Sequence, residues 1–284
     1  KVKYSKKLIL IIRNILCIIF LVIKMNEENL ITYYNKFNED KRLKTRHGQV
    51  EFHITMKYIL KYLKKLKNPK ILDVGAGTGA YSIPLHNMGF DVTALELVKH
   101  NLRVLEQKNK DIKCLQANAL NLKKFEDNSF DATLLLGPMY HLFSGEEKLK
   151  ALNEAKRVTK KDGLIFVAYV SNDYAIITHG FVDGFILDAI KNEEITKNFK
   201  IIDNIKNLYS FSSIKDINQL NKKSGLKRLK IIGVDGATDY IRPVLNKMSE
   251  DMFKTYIKYI ETICERKDLV GASSHLLDIL KNVK

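Results

Sequence analysis

The sequence predicts an α/β protein: a doubly wound, mostly parallel seven-stranded sheet with helices on both faces. An N-terminal helical lid and helical insertions after strands five and six complete the expectation. Three observations predict it. Short apolar runs alternate with amphipathic helical stretches, which makes βαβ units. The runs are apolar throughout rather than alternating, as strands covered on both faces require. The first run also leads straight into a glycine-rich turn, "ILDVGAGTGAYS", Ile71 to Ser82.

In chain order, Met56, Ile59, Leu60, Leu63 and Leu66 follow helical spacing, so a helix covers Glu51–Leu66 and ends at Asn68-Pro69. The strand Lys70–Val74, the glycine turn and a helix from Gly79 to Asn87 follow. Phe90–Leu97 is a second strand, 99–109 a helix, Ile112–Ala117 a third strand and Phe130–Gly137 a fourth. Gly145–Lys160 is a patterned helix with Leu149, Leu152, Ala155 and Val158 on one face, and Leu164–Val170 is the fifth strand. The rhythm then breaks: 171–215 is irregular and partly helical, rich in Phe, Ile and Tyr. A strand at Leu226–Gly236, a helical insertion at 249–266 and a last strand at Ser274–Val283 follow. The expected organisation is a lid (25–68), a core (69–170), a pocket insertion (171–215) and a C-terminal part of the sheet (216–284).

Residues 1–24 stand apart. They are basic, and apolar from Leu8 to Ile23, like a signal peptide or anchor, but Arg13 and Asn14 interrupt a stretch short for a spanning helix. "MNEENL" from Met25 reads as a natural start, so 1–24 is expected to be an upstream extension, with no stable membrane insertion and a cytoplasmic location. Cys17, Cys114 and Cys264 are isolated and form no disulfide framework, as a reducing compartment would have it.

Glycines at 75, 77 and 79, two residues after Asp73, let a ligand approach the backbone at a helix N-terminus. The dinucleotide fingerprint GxGxxG is not met: the third glycine comes one residue early, and no phosphate-binding arginine or lysine is near. Glu96 closes the second strand, where a carboxylate accepts bonds from both hydroxyls of a ribose. "QANAL" (Gln116–Leu120) ends the third strand and "LLLGPMYHL" (Leu134–Leu142) the fourth. Together with "EAKRVTKKDG" before strand five, these motifs resemble the class I S-adenosylmethionine-dependent methyltransferases, from about Arg46 to Val170.

The resemblance implies S-adenosyl-L-methionine as cofactor and an enzyme that transfers its methyl group by in-line displacement. It implies that Gly75, Ala76, Gly77 and Gly79 form the loop on which the methionine part and ribose lie, and that Asp73 helps hold the amino group. Glu96 takes the ribose hydroxyls, and Leu97 packs on the adenine. Asn118, where the family carries aspartate, meets the adenine amino group with Ala119. Leu136 and Gly137 sit near the sulfonium. Plainer readings stand beside these: Asp73 as a turn cap, Glu96 as a solvated strand end, Asn118 as an Asx turn.

The cofactor carries its own activation, so the protein must align the acceptor and take up a proton where one is released. Tyr140 and His141 are the candidate catalytic residues, with structural packing the competing reading for the histidine. Tyr33, Tyr34 and Arg46 are candidates to close the site, and Tyr174 and His179 to wall the acceptor pocket. The histidines show no ligand spacing, so no metal is expected.

The net charge of +16 raises nucleic acid as a partner. Of the 48 basic residues only 8 are arginine, however, and no RNA-binding appendage is visible, so a small-molecule acceptor is favoured. The alternatives are an RNA methyltransferase, a nicotinamide-dependent oxidoreductase and a non-catalytic binder of the same cofactor. The oligomeric state is beyond the sequence.

Overall fold

The computed structural model describes residues 27–36, 42–204 and 207–283. The expected extension at 1–24, and Cys17 within it, lie outside these residues. The first described helix is α1 (27–36). In order then come α2 (Arg46–Leu63), β1 (Lys70–Val74), α3 (Ser82–Asn87), β2 (Asp91–Glu96), α4 (Lys99–Lys108), β3 (Lys113–Gln116) and β4 (Phe130–Leu135). The second half holds α5 (Gly145–Val158), β5 (Thr159–Val170), α6 (Asn172–Ala175), α7 (Ile186–Lys191), α8 (Ile214–Ser224), β6 (Lys227–Gly233), α9 (Arg242–Leu245), α10 (Glu250–Ile263) and β7 (His275–Lys281). No helix among the described residues is long and apolar enough to cross a membrane.

The seven strands run in the order β3-β2-β1-β4-β5-β7-β6, with β7 antiparallel to both neighbours and the rest parallel. The order reverses at β1 and β4, so the carboxyl ends of these two strands flank the crevice where such sheets take ligands. Each face is buried as its own layer. Val50, Ile54 and Ile59 of α2 and Phe253 and Ile260 of α10 pack on Ile71, Leu134 and Phe166. On the other face Ala151, Leu152 and Ala155 of α5 and Ile217 and Leu220 of α8 pack on Leu72, Leu135 and Val167. Two-sided burial is why the central strands read as unbroken apolar runs.

Three elements differ from expectation. Helix α2 begins at Arg46, five residues earlier than the apolar spacing suggests, because Thr45 caps it by accepting from the Gly48 N–H. Strand β5 begins at Thr159 rather than Leu164. Asp162 adopts a left-handed φ of 61° beside Gly163, and Asn282 pairs with both residues, extending the strand past the turn. Helix α8 went unread, although Ser213 and Asp216 form a capping box and Gly225 closes it in a left-handed C-cap.

Candidate functional site

At the crevice the chain forms a cleft. Gly75 and Gly77 line it from the turn after β1, Glu96, Leu97 and Val98 from the end of β2, and Asn118 and Ala119 from the end of β3. Gly137, Pro138, Tyr140 and His141 line it from the end of β4, and Glu27, Leu30 and Tyr34 from one face of α1. Ten sequence-predicted residues thus converge: Tyr34, Gly75, Gly77, Glu96, Leu97, Asn118, Ala119, Gly137, Tyr140 and His141.

The turn is held open by its own backbone. The N–H groups of Gly75 and Ala76 both donate to the Leu95 carbonyl at 2.8 Å, tying the turn to β2. Gly75 has φ of +77°, and a Cβ there would stand 2.8 Å from Cδ of Pro138. Two different approaches therefore demand glycine in one motif. Gly75 admits the β4 turn, and Gly77, at φ +57° on the cleft, leaves its surface bare.

Glu96 is buried at the floor, 6% exposed, and its carboxylate joins the walls. One oxygen accepts from the Gly77 N–H at 2.7 Å and the other from the Val98 N–H at 2.8 Å. Burial pushes its carboxyl up to about 7, against the pull of the Val98, Gly77 and Leu97 N–H groups. Hydrogen-bond donors arriving from a ligand would favour the ionised form, which makes this carboxylate a receptor for hydroxyls. Asn118 serves twice: its Oδ1 accepts from the Leu120 N–H at 2.8 Å, an Asx turn, while its Nδ2 donates to Glu27 of α1. The Asx-turn reading thus describes the side-chain oxygen, while the amide nitrogen is turned to α1.

His141 is held at both ring nitrogens. Nδ1 lies 3.0 Å from the Leu208 carbonyl, which fixes the proton there, and Nε2 accepts from the Tyr34 hydroxyl at 3.0 Å. Burial pushes it down to about 4, with the Leu208 bond opposing and Arg42 assisting. It is a neutral imidazole with no free lone pair, so as it stands it shapes the wall and has no nitrogen left to take a proton.

Eight predicted residues lie off the cleft lining. Asp73 is buried beneath the turn, where its carboxylate accepts from the Ser82 hydroxyl at 2.5 Å, and burial raises it to about 6. Ala76 and Leu136 are buried behind the walls, and Gly79 faces Ile83 and Leu105. Tyr33 packs edge-on against Tyr34. Arg46, expected to close the site, donates instead to the carbonyls of Leu245 and Met248 at 3.0 and 2.6 Å and lies over the Phe253 ring. Tyr174 stacks edge-on against Tyr240, and His179 forms an exposed pair with Asp183. The 171–215 insertion backs the wall through Leu208 and Tyr209, which touch His141 from behind.

Sequence reasoning missed Glu27 and Leu30, which with Tyr34 recur at helical spacing. It also missed a polar cluster beyond the cleft, at the start of β7. Asp235, Asp239 and His275 bring potential ligand atoms within 4.8 Å of one another, the one such metal-type group among the described residues. The Asp235 carboxylate is spent on the hydroxyls of Ser273 and Ser274 and on the backbone N–H and Nδ1 of His275. Histidine spacing could not reveal this group, because the loop after β6 and the first residue of β7 assemble it.

Residues 72–167 match the family model described as a methyltransferase domain. A demethylmenaquinone methyltransferase of Paenarthrobacter aurescens is 34% identical over 121 residues, covering 43% of this chain and 46% of that protein. A ubiquinone biosynthesis O-methyltransferase of Pelagibacter ubique is 26% identical over 202 residues, covering 69% of this chain and 77% of that one. The match thus spans about half the length of the first relative. In fold, the chain resembles the crystal structure of PH0226 protein from Pyrococcus horikoshii, with a TM-score of 0.56 at 15% identity, covering 88% of this chain and 98% of that one. Strand order, glycine turn and the carboxylate closing β2 agree with that match: residues 72–167 are a methyltransferase domain on a doubly wound sheet.

Proposed function

We propose that the protein transfers a methyl group from S-adenosylmethionine to a small organic acceptor that enters beside Tyr140 and His141. One observation carries the reading: a single cleft joins the bare surface of Gly77, the buried Glu96 carboxylate, the Asn118 amide and the β4 turn. These groups fit the cofactor. Glu96 offers both oxygens to ribose hydroxyls, Leu97 and Leu120 offer apolar faces to a base, and the bare surface of Gly77 leaves room for the methionine chain.

When bound, the cofactor supplies a methyl group on a positively charged sulfur. The chain's own part is to hold and to exclude water. Helix α1 covers the cleft with Glu27, Leu30 and Tyr34, and Tyr34 latches onto His141. Tyr140 and His141 form a wall of the cleft against which an acceptor is aligned. Positioning of this kind supplies roughly 7–11 kcal/mol of a bimolecular barrier. A small-molecule acceptor agrees with the printed names of the relatives, which refer to menaquinone and ubiquinone synthesis.

Calorimetric titration of the full chain with S-adenosylhomocysteine, with NADH in parallel, tests this. The homocysteine compound binds and NADH does not. Glu96→Ala costs about 1.5–3 kcal/mol, roughly ten- to a hundredfold in affinity. Binding of NADH in its place would overturn the proposal.

A further inference from the structure

The apolar surface of the chain is gathered in one place. Of the fourteen large apolar side chains that stand in water among the described residues, eight fall between Ile177 and Ile202, in the insertion after β5. Leu187 is 76% exposed and Val182 73%, and the three phenylalanines among the fourteen, Phe181, Phe185 and Phe199, are all here. By their exposed fractions the eight leave on the order of 800 Å² in water, above the ~300–600 Å² of the largest apolar patch on an ordinary monomer. Helix α7 has Ile186 as its one buried residue, seated against Gly180. A helix of six residues draws little stability from its own hydrogen bonds, so the packing that would fix α7 is missing from the described residues.

The exposure is built in. Phe199 takes a left-handed φ of 54°, which bulky side chains rarely adopt. Asn172, buried just past the end of β5, holds it there: its Nδ2 donates to the Phe199 carbonyl and its Oδ1 accepts from the Ile201 N–H, both at 2.9 Å. An Ile195–Ile201 bridge closes the hairpin. Backbone strain kept up by a buried clamp, to hold an aromatic ring in water, marks a surface shaped for contact.

The charges on the patch select the occupant. Asp183, Asp188, Glu193 and Glu194 stand against Lys191, Lys197 and Lys200, so the segment is close to neutral in a chain of net charge +16. An anionic membrane or a nucleic acid finds no attraction here, whereas two copies of a strongly basic chain repel each other least at such a face. His179 pairs with Asp183, and Lys200 with Asp216, but Asp188, Lys191, Glu193, Glu194 and Lys197 pair with no described residue. Unpaired charges of both signs around an apolar, phenylalanine-rich centre make a face complementary to itself.

We propose that this face, centred on α7, pairs with the same face of a second copy of the chain about a two-fold axis. Leu187 and Ile190 are one turn apart on α7, and so are Asp188 and Lys191. A two-fold axis across the helix sets the two copies of α7 antiparallel, with Asp188 of each opposite Lys191 of the other and the leucines and isoleucines packed beside them. Each copy brings on the order of 800 Å², the share of one partner in a standard interface.

Sedimentation equilibrium of the full chain at micromolar concentration tests this. The wild type sediments as a dimer. Leu187→Glu raises the dissociation constant at least tenfold, with circular dichroism and S-adenosylhomocysteine affinity unchanged. Asp188→Lys and Lys191→Asp each weaken the dimer several-fold, because like charges then meet across the axis. The double exchange restores it to within twofold, which no effect on folding alone would do. A monomeric wild type, a dimer indifferent to Leu187→Glu, or single exchanges that the double one fails to rescue would each overturn the proposal. A monomer that binds vesicles of phosphatidylcholine and phosphatidylglycerol, and loses them on Leu187→Glu, would overturn it in favour of a membrane.

Discussion

The glycine turn after β1 and the polar cluster before β7 sit at the same end of one sheet, and they are built by opposite means. The turn works with backbone: N–H groups tied to Leu95 and Glu96, positive φ angles and no side chains. The cluster works with side chains: those of the loop after β6 and the start of β7 hydrogen-bond one another, and Glu51 of α2 acts on His275 through its charge. A backbone site is written in one contiguous motif. A side-chain site is spread over more than two hundred residues of chain, from Glu51 to His275, and closes only when the sheet is complete.

The difference is sharpest at Gly75. Gly75→Ala places a methyl 2.8 Å from Pro138 Cδ at φ +77°. Backbone strain of about 1–3 kcal/mol adds to the clash, and we expect loss of about 100-fold in S-adenosylhomocysteine affinity by calorimetry. Were Gly75→Ala to bind normally, the turn would have slack that its geometry denies.

The cluster should declare itself in stability. His275 is raised to about 9 in the fold from an ordinary 6.5, so protonation stabilises the native state. That contribution is full below pH 6.5 and lost as pH climbs to 9, at about 1.4 kcal/mol per unit over the window. Thermal unfolding of the wild type should fall more steeply across pH 6.5–9 than that of His275→Gln. Parallel slopes would mean that His275 is not charged in the native state.

Glu96 gives an effect of opposite sign on binding. Its carboxyl titrates at about 7, and the ionised form is the one that accepts ribose hydroxyls. Affinity for S-adenosylhomocysteine should rise roughly tenfold from pH 6 to pH 8, with proton release, at one site per unit of log affinity. A flat profile in the wild type, indistinguishable from Glu96→Ala, would remove Glu96 from the site.

The smallest effects come from residues that sequence reasoning had placed at the site and the fold uses elsewhere. Arg46→Ala should leave S-adenosylhomocysteine affinity within twofold and lower the unfolding free energy by about 1–3 kcal/mol, because it holds the Leu245 and Met248 carbonyls. Affinity tracking the Arg46 substitution would return it to the lid.

What the sequence could disclose follows the same division. The mostly parallel sheet and the glycine turn were legible because parallel strands buried on both faces leave apolar runs, and because a backbone-lined turn needs its glycines together. Arg46, Tyr174 and His179 lie off the cleft lining, which the sequence could not disclose because a polar side chain in a loop or helix gives no sign of which way it faces. His275 was passed over because its partner, Asp235, lies 40 positions away, and no spacing rule joins a β6 loop to a β7 start. The helix α8 had a readable capping box, which the aromatic-rich stretch before it obscured.

The placement of β7 between β5 and β6 also sets an order of assembly. Strands β1 to β5 can pair with one another as soon as Val170 has been made, but β6 has no neighbour except β7. During synthesis the parallel core can therefore form while about a hundred later residues wait, with Lys227–Gly233 unpaired among them. A chain halted before His275 would keep its glycine turn and lose two strands at once. The glycine turn and the polar cluster at the start of β7 would then be completed at different times, the first in a partial chain and the second only in a finished sheet.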